Sequence, residues 1–348
     1  MGRIVIAVDG MGGDHAPASV IGGLSICAVK YPDTDFLLYG DSGRLVPLVE
    51  AESALKGRVT VCHAPSAVSA DAKPSMALRS GKDTSMRLAI DAVAEGKAAA
   101  VVSGGNTGAL MAMALFVLRP LPGIDRPALT SMMPTRKGDA VMLDLGANIE
   151  CDSDNLVQFA IMGSAFARAV RGLPNPSVGL LNVGSEETKG KDSLREAARV
   201  LRAADKMPWH YYGFIEGDDI GAGTVDVIVT DGFTGNVAIK SAEGIGRLYI
   251  DFLKRVFEGG NLLVKLGYFL AQPAFRALKN RLDARRYNGA VFLGLQGICV
   301  KSHGGMDADG FANALGVAHD LVKHGCIETI KTELAQLSSL FSSGLEKA

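Results

Sequence analysis

Ala98-Ala99-Ala100-Val101-Val102-Ser103-Gly104-Gly105-Asn106-Thr107-Gly108-Ala109-Leu110, running on without a charge to Leu118, is the stretch that decides how this chain folds. It is bounded by Lys97 and Arg119 and is long enough to be weighed as a membrane span. Its centre argues against that. Ser103 to Gly108 would bring costly polar groups into lipid, whereas the same six residues suit a loop between a strand and a helix. The stretch therefore reads as strand Ala99–Val102, loop, then helix Ala109–Leu118.

The same grammar recurs along the chain. Short apolar runs, each entering a Gly/Asp/Asn loop, lie at Ile4–Val8, Phe36–Tyr39, Val59–Cys62, Val141–Leu143, Val178–Val183 and Val225–Val229. Most are solidly apolar and do not alternate, which marks strands covered on both faces and a largely parallel sheet. Helical patterns separate them at Val20–Lys30, Leu45–Ala54, Ser85–Glu95, Leu156–Val170 and Leu194–Ala204. Repeated strand and helix predict an α/β fold. After Gly235 the pattern changes to helices at Val237–Glu258, Leu262–Arg281 (with a break at Pro273), Ala308–His324 and Ile327–Leu337. A late strand is expected at Val291–Leu295 with Gly297-Ile298. There is no repeat and no flexible linker, so residues 1–348 are expected to form one interlocked unit, or two interlocked subdomains.

Composition narrows the function. The chain has 348 residues, is 48% hydrophobic and 21% charged, and carries a formal charge of -1. That excludes disorder as its main state and gives no general affinity for nucleic acid. The five cysteines, Cys27, Cys62, Cys151, Cys299 and Cys326, are odd in number and widely spaced, which fits a reducing cytoplasm better than a disulfide framework. Met1 to Asp9 reads as a strand and not as a signal peptide. No His, Cys or carboxylate cluster has metal-ligand spacing, so no metal is expected.

Five strand-end loops are alike: Asp9 to Asp14, Ser103 to Gly108, Asp144 to Asn148, Asn182 to Gly190 and Asp231 to Asn236. Glycine lets a backbone turn its amides toward a ligand, and a helix start behind the loop adds partial positive charge. Together they would make an anion site with few arginines, although Gly, Asn and Asp are also ordinary loop formers. No Walker A motif is present, and Gly10-Met11-Gly12-Gly13-Asp14 is a poor dinucleotide fingerprint. His15 beside Asp14, and His303 in Ser302-His303-Gly304-Gly305, are candidates for proton transfer, with a structural role as the alternative. Lys189, after Glu186 and Glu187, could pin a phosphate or stabilise an oxyanion, or be a solvated loop lysine.

Between residues 260 and 290, Lys265, Arg276, Lys279, Arg281, Arg285 and Arg286 face a single acid, Asp283. Leu262, Leu266, Phe269, Leu270, Phe275 and Leu278 interleave at helical spacing. Such a segment suits an anionic membrane surface or an acidic partner; the alternative is a dimer interface with its cations in water.

The ordered set of motifs resembles the bacterial phosphate acyltransferase (PlsX) family of phospholipid synthesis. It comprises Asp9–Pro17, Lys82–Met86, Val102–Leu110, Gly123–Ala128, Leu143–Asn148, Asn155–Ala160, Glu186–Gly190, Asp231–Asn236 and Lys301–Gly304. Gly10, Gly104 and the Thr84-Ser85 pair depart slightly from the family pattern. The resemblance implies a three-layer α/β/α fold with a mostly parallel sheet, similar to isocitrate and isopropylmalate dehydrogenases. It implies transfer of a long-chain acyl group from acyl carrier protein to inorganic phosphate without a cofactor. The acyl phosphate would then feed a membrane glycerol-3-phosphate acyltransferase. It also implies a homodimer in the cytoplasm, peripheral at the membrane, with Lys189 and Asn236 at the substrate.

On this reading Lys189, Asn236, His303 and His15 are the candidate catalytic residues. Asp9, Gly12, Gly13, Asp14, Ser103, Gly105, Asn106, Thr107, Gly108, Asn148, Gly232, Gly235 and Ser302 are the candidate substrate and phosphate contacts. The six cations of the 260–290 segment would meet the carrier or the membrane. The rivals are a short-chain phosphotransacylase using acyl-coenzyme A, a nucleotide-dependent decarboxylating dehydrogenase, and a non-enzymatic membrane scaffold.

Overall fold

The computed structural model describes residues 2–259, 262–281 and 284–345. In chain order it forms β1 (Ile4–Asp9), α1 (Ala18–Lys30), β2 (Thr34–Gly40), α2 (Ser42–Ala51), β3 (Val59–His63), α3 (Pro74–Ser80), α4 (Ser85–Ala94), β4 (Ala100–Ser103) and α5 (Thr107–Leu118). There follow β5 (Ala128–Thr135), β6 (Gly138–Leu143), α6 (Ser153–Arg171), β7 (Ser177–Leu181), α7 (Asp192–Ala203), β8 (His210–Ile215), α8 (Gly217–Ala222) and β9 (Val227–Val229). The chain ends with α9 (Gly232–Glu258), α10 (Leu262–Arg281), β10 (Ala290–Leu293), β11 (Ile298–Lys301), α11 (Ala308–Lys323) and α12 (Cys326–Leu345).

The strands make one sheet of eleven, in the order β3-β2-β1-β4-β11-β10-β5-β6-β9-β7-β8. Neighbours are parallel except at β11–β10, β10–β5 and β5–β6. Those three reversals divide the sheet into two parallel blocks, β3-β2-β1-β4-β11 and β6-β9-β7-β8, that run in opposite directions. Each strand of the blocks' interiors is covered on both faces. In β1, Ile6 and Val8 join the large core under α1, α6 and α11, while Ala7 joins the core under α4 and α5. In β6, Val141 and Leu143 face the first of these and Met142 faces a third cluster with Ile215 and Ile228. This double burial is why those strands read as unbroken apolar runs.

The exceptions are the strands that the apolar runs do not announce. β8 is a sheet edge and exposes His210 and Tyr212, so it never becomes a continuous apolar segment. β5 pairs antiparallel on both sides and mixes Thr130, Ser131 and Thr135 with its apolar residues. The expected late strand is two, β10 and β11, antiparallel to each other. Helix α9 starts at Gly232 and not at Val237, because the Asp231 side chain accepts the Thr234 amide at 2.7 Å and caps it earlier. Helix α10 runs through Pro273 without ending there. The lost backbone donor is offset by packing on α9, where the rings of Phe257, Tyr268 and Phe275 meet with centroids 5.0–5.3 Å apart.

Gly260, Leu282 and Asp283 of the basic segment lie outside the described residues, as do the side chains of Lys265, Arg276, Lys279 and Arg281. Among the described residues no helix is long and apolar enough to cross a membrane.

Candidate active site

The strand-end loops assemble into two sets, one on each parallel block. The first set sits on the carboxyl ends of β1, β4 and β11, which are adjacent and in register, with Lys301 beside Ser103. Asp9, the last residue of β1, is buried. Its carboxylate accepts the Ser85 hydroxyl at 2.6 Å, the Ser103 hydroxyl at 2.7 Å and the Met11 amide at 3.2 Å. Burial drives its pKa up, and these three bonds pull against that rise without cancelling it. Ser103 Oγ in turn accepts the Gly105 amide at 3.0 Å, which shapes the loop. A Cβ at Gly12 would lie 2.6 Å from that same amide nitrogen and collide with the Asp9 carboxylate, so only glycine fits.

Three loops are stitched together there. The Asp14 amide donates to the Gly304 carbonyl at 2.9 Å, and the Ser302 amide to the Ser103 carbonyl at 2.9 Å. Lys301 is buried, and its Nζ donates to the Gly104 carbonyl at 3.2 Å and to the Ser302 carbonyl. Burial lowers its pKa to about 8, although Asp9 and Asp14 oppose the shift. Buried Asn288 anchors the Ser302 end, donating to Ser302 Oγ at 2.8 Å and accepting the His303 amide at 2.8 Å. The His303 ring is exposed, and its Nδ1 accepts the Gly305 amide at 3.2 Å, so the neutral imidazole carries its proton on Nε2. Asn106 caps α5 by accepting the Ala109 amide at 2.9 Å. The amides of Gly12, Gly13, Gly104, Thr107, Gly108 and Gly304 have no acceptor among the described residues.

The second set sits on β6, β9 and β7. Asp144 is buried and its carboxylate accepts five N–H groups: the amides of Leu129, Gly146, Ala147 and Asn148, and Asn148 Nδ2, at 2.6–3.2 Å. Asn148 Nδ2 also reaches the Pro127 carbonyl at 2.9 Å. The Gly232 amide donates to the Asn148 carbonyl at 2.7 Å and the Gly235 amide to the Asp231 carbonyl at 2.9 Å. A Cβ at Gly235 would overlap the Asp144 carbonyl. The amides of Gly146, Gly232 and Gly235 are thus consumed within the protein, whereas those of Gly184 and Gly190 in the loop after β7 have no acceptor among the described residues.

Beside it lies a cavity of about 300 Å³, lined by Cys151, Leu181, Asn182, Lys191, Leu194 and Thr234 among others. Lys191 reaches Asp231 at 3.0 Å. Asn182 donates to the carbonyls of Gly184 and Lys189, both at 3.1 Å, and its buried Oδ1 has no partner among the described residues. Lys189 is exposed and pairs with Glu186 at 2.6 Å, which raises its pKa.

Among the candidate residues, Asp9, Gly12, Gly13, Asp14, Ser103, Gly105, Asn106, Thr107, Gly108, Ser302 and His303 therefore gather in the first set. His15 follows Asp14 and is exposed. Asn148, Gly232, Gly235 and Asn236 gather in the second, with Asn236 exposed beside Gly146. Lys189 is not among the residues that line the cavity, although its neighbour Gly190 is; Lys191 is the lysine that lines it. Sequence reasoning missed Lys301, Ser85, Asp144 and Asn288 as site residues. A lone lysine ending the apolar run Ile298-Cys299-Val300 was a readable signal for Lys301; Asn288 had none, because its partners are distant in sequence.

Comparison with known proteins places the chain. A family model described as fatty acid synthesis protein matches residues 4–329. A phosphate acyltransferase of Rhodospirillum centenum is 62% identical over 337 residues, 97% of this chain and 94% of that relative. One from Rhodospirillum rubrum is 55% identical over 340 residues, 98% and 97% of the two chains. Among solved structures, a phosphotransacetylase from Streptococcus pyogenes aligns with a TM-score of 0.62 at 15% identity, covering 92% of this chain and 94% of that one. One from Staphylococcus aureus gives 0.60 at 17%, with the same coverage.

These likenesses correct the expectation of an isocitrate/isopropylmalate dehydrogenase-like fold: the architecture is that of the phosphotransacetylases. Alternating strands and helices specify layers but not strand order, and the three antiparallel pairings at mid-sheet leave no mark in that alternation. Nearly full-length identity above one half, joined to a family model over almost the whole chain, makes this protein a member of the bacterial phosphate acyltransferase family.

Proposed function

We propose that the first loop set holds inorganic phosphate and that the phosphate attacks a long-chain acyl thioester carried by acyl carrier protein. The chain, as a family member, is an acyl-phosphate-forming phosphate acyltransferase of phospholipid synthesis. The placement of phosphate rests on one observation: six amides, five of them on glycine, have no acceptor among the described residues and lie together in three stitched loops and the start of α5. Donors of this kind bind an anion without needing to reorganise.

The chemistry asks little more of the protein. Phosphate is already a competent nucleophile toward a thioester, so no serine or cysteine need be acylated. A phosphate oxygen adds to the carbonyl carbon, the oxyanion collapses, the C–S bond breaks, and the carrier leaves as its thiol. The site has to grip the anion, orient it and stabilise the oxyanion. His303 Nε2–H and His15 are the proposed proton donors to the departing sulfur. Lys189 and Asn236 are the proposed contacts for the donor, beside the cavity.

The proposed partners follow from the α9–α10 pair. It exposes Ile245, Tyr249, Phe252, Val256, Leu266 and Phe269, while Arg286 is exposed at the return to the body. Apolar side chains beside cations suit an acidic carrier protein and a peripheral membrane contact, and a homodimer interface would cover part of the same face. The acyl phosphate would pass to a membrane glycerol-3-phosphate acyltransferase.

Thioester consumption in the presence of phosphate, compared between palmitoyl-acyl carrier protein and acetyl-coenzyme A, tests the choice of donor. The carrier-bound long chain is expected to be preferred, and Lys189→Ala to slow its turnover about 100-fold. Preference for acetyl-coenzyme A would establish the short-chain rival instead.

A further inference from the structure

The first loop set has to admit a multiply charged anion next to two carboxylates, Asp9 and Asp14. Asp9 is already spent on Ser85, Ser103 and Met11. Lys301 is the only buried lysine or arginine among the described residues. An ammonium carries three N–H groups. The carbonyls of Gly104 and Ser302 take two, and the third has no acceptor among the described residues. No described carboxylate lies within ion-pair distance of it. The titratable groups that face it are Asp9 from the end of β1, Asp14 from the loop that follows, and Cys299 on its own strand.

We propose that Lys301 is the phosphate-positioning residue of this site: its buried ammonium ties the Gly104 and Ser302 carbonyls together, so that the neighbouring loop amides face the anion, and bound phosphate keeps that ammonium charged. The inference deepens the phosphate placement made above and rests on it. The depressed pKa supports it. Cys299, pushed up to about 12 by burial, stays a neutral thiol in the same range. Above about pH 8 the free enzyme sheds the Lys301 proton, and phosphate must then bind together with a proton. Phosphate has lost its own second proton by that point, so its titration does not imitate the effect.

The test measures initial rates against phosphate concentration at saturating donor, from about pH 7 to about pH 9.5. Equilibrium binding of inorganic phosphate alone is followed by calorimetry over the same range. In the unmodified protein the phosphate KM and Kd rise roughly ten-fold per pH unit above about 8, while the donor KM does not follow. Lys301→Arg keeps a charge throughout and loses that rise. Lys301→Met weakens phosphate about ten- to a hundred-fold at neutral pH and is flat. Lys301→Met with an ordinary phosphate KM, or Lys301→Arg with the rise intact, overturns the proposal; the second result decides alone if the methionine variant does not fold. Phosphate binding that follows this profile in a protein making no acyl phosphate would overturn the functional reading and leave Lys301 in its role.

Discussion

Asp144 accepts five N–H groups from four residues, and that count fixes what it can tolerate. Asn in its place has one acceptor oxygen and presents an NH2 to groups that are themselves donors. Asp144→Asn is expected to cost about 3 kcal/mol of stability, read from urea unfolding, because several buried amides lose their acceptor. A change below about 1 kcal/mol would show that the loop relaxes around the loss. At the same scale, burial of Lys301 makes its charged form a burden on the folded state. That burden lifts as pH rises from about 8 toward the ordinary lysine range, where only the unfolded chain still binds the proton. Both residues lay inside motifs whose resemblance was legible, yet their roles were not. A buried polar residue is defined by partners far along the chain, as Asp9 is by Ser85 and Ser103, and local spacing carries no trace of them.

The elements were easier to anticipate where burial was two-sided. β1, β4 and β6 show as solid apolar runs because a helix layer covers each face. β8, one-sided at the edge, does not. Capping explains the early start of α9, since Asp231-Gly232-Phe233-Thr234 carries its own N-cap signal. The end of the basic segment has a more structured role than its charge suggests. Arg285 pairs with Asp307 at 2.9 Å and lies 3.5 Å from Asp309, at the start of α11. Reversing Arg285 would therefore disturb the fold as well as any partner. Arg286, exposed beside it, is the cleaner probe. Arg286→Glu is expected to weaken binding of acyl carrier protein or of anionic vesicles several-fold at low salt, with the difference shrinking as salt rises. Binding that ignores both the substitution and the salt would remove this end of the segment from the contact surface.

On the scale of the whole molecule, the layered α/β architecture and a polar site at strand ends could be read from the chain, but the grouping of the loops could not. Three antiparallel pairings turn one block of strands against the other, so loops that look alike divide between two sets. In the first set the amides of Gly12, Gly13, Gly104, Gly108 and Gly304 have no acceptor among the described residues; in the second, Gly146, Gly232 and Gly235 spend theirs on Asp144, Asn148 and Asp231. That difference supports the proposed placement of phosphate in the first set, where phosphate itself would be the nucleophile. The direct measurement is incubation of the purified protein with acyl-acyl carrier protein and isotopically labelled inorganic phosphate, followed by separation of the products. The label is expected in acyl phosphate in proportion to the free carrier released. Carrier release with the acyl group left on the protein or set free as fatty acid, and no label in acyl phosphate, would contradict the account.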